Sequence, residues 1–299
     1  MKSDPALVMT VIAGPGGEAQ LAGCAAAIAD ALALPAAPDW LAPDRACDLA
    51  LPGIDPSSAE AAARRAIGGA AIDVLVQPAA GRRKRVFVAD LEATMIENEM
   101  LDELADFVGR RPHVAEITRR AMNGEIDFAA ALAERVALLK GLPATALDEA
   151  ARRIRLMPGA RALLATLRAA GVRTALVTGG FTVFAERVAA ELGFDQIVAN
   201  RLDIAEGRIA GTITAPIVER EAKRDTLVAL ARQCGVPLSA TLAVGDGAND
   251  LAMLEAAGLG IAFHPKPAVA AASRWRLDHA DLTALLYAQG YRKSEMVAL

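Results

Sequence analysis

Apolar residues along the chain follow two different patterns, one on each side of residue 80. In the first, short strand-forming runs alternate with Ala-rich stretches. Ala6-Leu7-Val8-Met9-Thr10-Val11-Ile12 is rich in strand formers and stops at Ala13-Gly14-Pro15-Gly16-Gly17. Glu18 to Leu34 reads as a helix, and Cys47 to Leu51 as a second strand ended by Pro52-Gly53. A second helix is predicted from Ser57 to Ile67, with Ser57 or Ser58 near its N-cap, and a third strand from Ile72 to Val76. This β-α-β-α-β order predicts a small α+β sandwich of ferredoxin-like outline over residues 1–80. Nothing in it forms a catalytic constellation. Its simplest reading is a stabilising or dimerising module, the second of which would make a homodimer; ligand sensing is the alternative.

From Arg85 onward the pattern becomes that of an α/β protein with a doubly wound parallel sheet, spanning residues 81–299. Four continuous apolar runs suit strands buried on both faces: Val86–Ala89, Thr174–Val177, Thr241–Val244 and Gly260–Phe263. More than eighty residues separate the first two runs, too many for an ordinary connection. That insertion reads as helical. Leu101, Leu104, Ala105 and Val108 fall at i, i+3, i+4 and i+7, and a second amphipathic stretch runs from Phe128 to Leu139. A helical cap at about residues 100–156 would sit over the carboxyl edge of the sheet, where open α/β sheets bind ligands.

Composition narrows the function classes. Of 299 residues, 54% are hydrophobic and 23% charged, which excludes a disordered chain. A net charge of −4 argues against nucleic-acid partners. The one basic run, Arg82-Arg83-Lys84-Arg85, reads as a solvated linker before a buried strand. Cys24, Cys47 and Cys234 are too few and too scattered for a zinc site or disulfide framework, and read as small buried hydrophobes in a reducing compartment. No apolar run approaches the ~18 residues that would span a membrane, and Ala6–Ala13 makes a poor signal peptide. The expectation is a soluble, cytoplasmic protein with no membrane or nucleic-acid partner.

The residues that follow the predicted strands carry the chemistry. They are Asp90-Leu91-Glu92-Ala93-Thr94, Thr178-Gly179-Gly180, and Gly245-Asp246-Gly247-Ala248-Asn249-Asp250, with Lys223 ahead of the third group. Carboxylates crowded at one sheet edge repel unless a cation neutralises them, which points to a hard divalent ion such as Mg2+. Gly-rich backbone and a Lys beside them suit a phosphate. Together they describe phosphoryl transfer through an aspartyl-phosphate.

These segments resemble the motifs of the haloacid-dehalogenase-like phosphatases: VFVADLEATMI the first, VTGG the second, Lys223 the third and GDGAND the fourth. The spacing from Asp90 to Glu99 and the segments AMNGEIDFAAALAERVALLKGLP and VTGGFTVFAERVAAELG are similar to phosphoserine phosphatases within that superfamily. The resemblance runs over roughly residues 82 to 290; residues 1–80 are similar only in outline to the ACT-like regions attached to some of these enzymes. The resemblance implies Asp90 as nucleophile and Glu92 as acid and base. Thr178 and Gly179 would hold the phosphoryl oxygens, and Lys223 would neutralise charge on the phosphoryl group and the nucleophile. Asp90, the Glu92 backbone carbonyl and Asp246 would hold Mg2+, steadied with the phosphate by Asn249 and Asp250. Position 92 departs from the family, which usually has Asp there, and Ala93 stands where Ser is common.

Substrate identity is read from the cap. Phe128, Leu132, Arg135 and Leu139 are spaced 4, 3 and 4, which puts Arg135 on an apolar stripe where a charge needs a partner. That partner is either a neighbouring acid or a substrate carboxylate clasped by the guanidinium. By resemblance Glu99 would take the substrate ammonium, and Met122 and Phe128 would shield the site from water. The implied reaction is Mg2+-dependent hydrolysis of O-phospho-L-serine to L-serine and phosphate, the last step of phosphorylated serine biosynthesis. The alternatives are phosphoryl transfer to an amino-alcohol such as homoserine, and a serine-sensing protein whose catalytic head has decayed.

Overall fold

The computed structural model describes residues 7–122 and 125–298, side chains at 121 and 122 excepted. The N-terminal block runs β1 (Leu7–Ala13), α1 (Leu21–Ala31), β2 (Asp39–Ala42), β3 (Ala46–Leu51), α2 (Pro56–Ile67) and β4 (Ile72–Pro78). Its four strands form an antiparallel sheet in the order β2-β3-β1-β4. Alternation sends Met9, Val11, Leu49, Val74 and Val76 to one face, against Leu21, Ala25 and Ile28 of α1 and Ala59 and Ala63 of α2.

Two expectations for this block are corrected. β2 adds a fourth strand at the edge, and its polar, partly exposed DWLA has no buried apolar run to betray it. Helix α2 is capped by Asp55 rather than Ser57 or Ser58. Pro56 takes the first helical position, and the Asp55 carboxylate accepts the Ser58 N–H at 2.8 Å.

The opposite face of this sheet is covered by the C-terminal half of the chain. Ile12, Ala46 and Leu75 join the main core beside Leu285 and Tyr287. Buried polar groups fasten the two together. The Asp73 carboxylate accepts the N–H groups of Asp278, His279 and Ala280 at 2.8, 3.1 and 2.8 Å. Trp275 Nε1 donates to Val76 O at 2.7 Å and Gln77 Nε2 to Ala288 O at 2.6 Å.

The basic run belongs to the same fastening, not to a solvated linker. Arg82 pairs with Asp48 at 2.5 Å and donates to Thr10 Oγ1 and to the carbonyls of Tyr287 and Ala288. Lys84 is buried, its Nζ bonded to Gly81 O and Ser239 O. Only Arg83 and Arg85 face solvent. The cysteine expectation holds for buried Cys47 alone; Cys24 is half-buried and Cys234, at a helix end, is exposed.

The second sheet begins with β5 (Val86–Ala89). Four helices follow as the cap: α3 (Met100–Phe107), α4 (Arg111–Met122), α5 (Phe128–Ala137) and α6 (Thr145–Ala151). The chain then continues α7 (Ala160–Ala169), β6 (Arg173–Phe181), α8 (Thr182–Leu192), β7 (Gln196–Ala205), β8 (Arg208–Thr214), α9 (Arg220–Gln233), β9 (Thr241–Gly245), α10 (Leu251–Ala256), β10 (Leu259–Phe263), α11 (Pro267–Ala272), β11 (Trp275–Leu277) and α12 (Ala284–Ala288). The sheet order is β11-β10-β9-β5-β6-β7-β8, parallel except for β8.

Burial on both faces explains the continuous apolar runs. Val86 and Val88 pack with Leu227, Leu230 and Met253 on one side, while Phe87 and Ala89 join the main core on the other. The two connections between cap and sheet run side by side, Glu97 N–H to Arg155 O and Met157 N–H to Met95 O, both at 2.9 Å. Among the described residues no helix is long and apolar enough to cross a membrane.

Candidate active site

Chain order turns back at β5, which pairs with β6 on one side and β9 on the other, so the carboxyl ends of these strands frame the sheet's switch point. Asp90 stands there, its N–H still bonded to Val244 O at 3.0 Å. From α9, Lys223 reaches under it. The Lys223 ammonium lies 2.6 Å from Asp90 Oδ1 and 2.6 Å from Asp250 Oδ1, in a setting where its side chain is 1% exposed. Asp250 also accepts the Gly247 N–H at 3.0 Å. Only glycine fits at 245, because a Cβ would come within 2.3 Å of the Asp250 carboxyl carbon.

Asp90, Asp246 and Asp250 each offer an oxygen within 4.8 Å of the others. Against these three acids stand Lys223 and Lys266, whose Nζ is 3.3 Å from Asp246 Oδ2. One negative charge is therefore left over among these five groups. Burial pushes Asp90 up to about 7 although Lys223 pulls the other way, with Asp250 and Asp246 adding to the rise. Burial also raises Asp246, opposed by Lys266. Burial works against a charged Lys223, but Asp90 and Asp250 outweigh it and hold the ammonium above its ordinary range. A buried, all-oxygen set of carboxylates with surplus negative charge fits a hard divalent cation.

The neighbouring strand supplies the opposite wall. Thr178, 1% exposed, accepts the Gly180 N–H on its hydroxyl at 2.8 Å, and Asn200 Nδ2 holds Gly179 O at 2.8 Å. Glu92 reaches this end of β6: a Cβ on Gly180 would meet Glu92 Oε2 at 3.0 Å. Its other oxygen accepts the Met100 N–H at the start of α3, at 2.9 Å. Crowding by burial, then by Glu99, lifts the Glu92 carboxyl to about 8, with the Met100 N–H opposing. Ala93, next in sequence, sits at φ 50, a left-handed backbone that a residue with a Cβ adopts at a cost.

From the cap, Phe128 lies over Gly179, its ring 2.9 Å from where a Cβ would be. Arg135 donates from Nε to Ala131 O at 3.2 Å. Among the described residues no carboxylate lies within ion-pair distance of it, so the ordinary neighbouring pair that its position allowed is not what the cap provides. The acids whose field reaches its guanidinium are Glu92, Glu99 and Asp102. Glu99, at the N-terminal end of α3, is raised by burial and opposed chiefly by Lys266. Asn249 is partly exposed, its Oδ1 against Gly247. Met122 ends α4 and its side chain lies outside the described residues.

The haloacid dehalogenase-like hydrolases match residues 87–255, more than half of the chain. The chain belongs to that family. Among its relatives, a phosphoserine phosphatase of Mycobacterium tuberculosis is 44% identical over 229 residues, 76% of this chain and 56% of the relative. A HAD family hydrolase from Salmonella enterica subsp. enterica serovar Typhi superposes with a TM-score of 0.83 at 29% identity, covering 94% of this chain and 97% of the other. A phospho-aspartyl intermediate analogue of phosphoserine phosphatase superposes with a TM-score of 0.64 at 35% identity, covering 69% and 98%. The chain thus spans little more than half the length of its mycobacterial relative.

Two charged residues beside the candidate site escaped the sequence reading. Asp102, in the first turn of α3, is partly buried within electrostatic reach of Arg135. Lys266 follows β10, and asking what stands after that fourth strand, as for the other three, would have found it.

Proposed function

We propose that this HAD-like hydrolase is a phosphoserine phosphatase, cleaving O-phospho-L-serine to L-serine and phosphate as the closing step of serine formation in the cytoplasm. The observation that carries the reading is the pair of 2.6 Å contacts from buried Lys223 to Asp90 and Asp250 beside Asp246, under a cap whose Arg135 has no carboxylate at ion-pair distance among the described residues. The identity to a phosphoserine phosphatase supports the substrate, and the likeness to a phospho-aspartyl intermediate analogue supports the covalent route.

In this reading Asp90 Oδ attacks phosphorus in line and the serine oxygen leaves, taking a proton from Glu92. Glu92 is suited to that donation because its carboxyl is pushed up to about 8 and so carries its proton near neutral pH. A water molecule then attacks the phosphorus of the aspartyl-phosphate, giving its proton to Glu92, and Asp90 is restored. Asp90, Asp246 and the Glu92 backbone carbonyl are the donors for a divalent cation such as Mg2+, whose chemistry is to screen charge on the phosphoryl group. Lys223 neutralises charge between nucleophile and phosphoryl oxygens. The Thr178 hydroxyl and Gly179 N–H, steadied by Asn249, hold those oxygens. Arg135 takes the substrate carboxylate, Glu99 its ammonium, and Phe128 and Met122 exclude bulk water.

The test is phosphate release from a panel of phosphomonoesters with Mg2+ added or chelated, together with capture of labelled phosphate on the protein. Phosphoserine should be preferred, chelation should stop turnover, and Asp90→Asn should neither turn over nor retain label. Failure to release phosphate from phosphoserine with Mg2+ present overturns the reading.

A further inference from the structure

Lys266 lies outside the four motif segments, yet its ammonium is 3.3 Å from Oδ2 of Asp246. The backbone delivers it there. His264 turns the chain at φ 42; its N–H bonds Leu277 O at 2.8 Å and its Nε2 meets Ala280 O at 3.0 Å. Pro265 and Pro267 flank Lys266. A following proline confines a residue to extended backbone, and Lys266 has φ −60 and ψ 150. Its N–H donates to Asp246 O at 3.3 Å, and its carbonyl accepts from Val269 and Ala270 at 2.9 Å as the N-cap of α11. The loop that carries Lys266 is therefore tied to the loop that carries Asp246.

The side chain itself is half exposed and reaches Asp246 from the solvent side. Lys266 is 50% exposed against 9% for Asp246, whereas Lys223 is 1% exposed and clamped between two acids. After Asp246, the acids facing the Lys266 ammonium are Glu99 and Asp90. In the proposed reaction these three receive other cations: Asp90 and Asp246 the divalent ion, Glu99 the substrate ammonium. A flexible, hydrated ammonium can withdraw when a competing cation arrives; a buried one cannot.

We propose that Lys266 is a resident counter-cation that competes with the divalent metal for Asp246 and so sets the metal concentration at which the site fills. The inference rests on the functional reading above only in requiring a divalent ion at Asp90 and Asp246; it does not depend on the substrate. Lys223 shapes the nucleophile permanently, while Lys266 holds the metal carboxylate until the metal takes over.

The test is Mn2+ binding to the metal-stripped full-length chain without substrate, by isothermal titration calorimetry. Removing one positive charge beside the ion should tighten Mn2+ binding at least about fivefold in Lys266→Met. Lys266→Arg, which keeps the charge, should stay within about twofold of the parent. The rise in Tm that Mn2+ produces should also be larger in Lys266→Met than in the parent, because tighter binding to the folded state shifts unfolding further. An Mn2+ affinity in Lys266→Met equal to or weaker than the parent's overturns the proposal. Absence of Mn2+ binding to the parent is a different result, which removes the metal reading and the proposal with it.

Discussion

Replacing Lys223 with Met keeps much of the side chain's volume but strands two carboxylates that it now neutralises. Asp90 and Asp250 are 5% and 0% exposed, each 2.6 Å from the ammonium, so water cannot take its place. Removing one partner of such a buried pair costs about 3–5 kcal/mol. By contrast, the Arg119–Glu116 pair has both side chains more than half exposed and belongs to a class worth about 0.5 kcal/mol or less. Unfolding entropy of about 2.1 cal/mol/K per residue over 299 residues is roughly 0.6 kcal/mol/K, so Lys223→Met should lower Tm by about 5–8 °C. The melt is followed by circular dichroism in EDTA, since a bound cation would partly replace the lost charge. Adding Asp250→Asn removes one of the stranded acids and should recover about half of the loss. A fall in Tm below about 2 °C, or no recovery in the double variant, would refute the view that these charges are buried and mutually dependent.

Four further outcomes follow from the structure. Glu92→Ala should cut kcat by about 10²–10⁴, and the parent's rate should decline as pH rises past the value of about 8 to which Glu92 is pushed, a limb absent from Glu92→Gln. The same shift has a stability consequence. Because the folded pKa lies above the ordinary 4.5, Glu92 contributes stability fully below pH 4.5 and loses it as pH rises to about 8, so metal-free Glu92→Gln should melt above the parent at pH 9 and with it at pH 4. Arg135→Ala should raise KM for phosphoserine by about 30-fold or more while leaving an aryl phosphate within about threefold; equal losses on both would count against carboxylate recognition. Asp73→Ala should destabilise the protein by about 3 kcal/mol in chemical denaturation, because three amide N–H groups lose one buried acceptor; a change under about 1 kcal/mol would show those amides solvated.

What the linear chain disclosed depended on how local each signal was. The strands β5, β6, β9 and β10 were readable because burial on both faces writes an unbroken apolar run. The β7–β8 hairpin escaped because only Asn200 and Leu202 of β7 are buried, so its pattern is neither continuous nor cleanly alternating. Asp90, Glu92, Thr178 and Asp246 stood out because each follows a recognisable strand. Lys223 could be placed only ahead of the third strand, and its role came by resemblance, since nothing local distinguishes a helical lysine that turns inward from the many that face solvent. Arg82 and Lys84 show the limit most clearly. Their burial is decided by Asp48, Gly81, Ser239 and the carbonyls of Tyr287 and Ala288, up to about 200 positions away, so composition alone read them as wet. Likewise Arg135 could be placed on an apolar stripe, but whether an acid waited beside it was a question for the fold.

The fastening of the N-terminal sheet carries a practical lesson for dissecting this molecule. Cutting the chain near residue 80 looks natural on paper, since the candidate catalytic side chains all come from beyond that point. Such a cut would bare Leu285, Tyr287 and their neighbours, orphan the amides of residues 278–280, and leave the indole of Trp275 without an acceptor. The shorter chain should therefore precipitate or bind hydrophobic dyes. Its loss of activity would then say nothing about whether the missing part senses anything, and point changes that keep the seam intact are the safer probe.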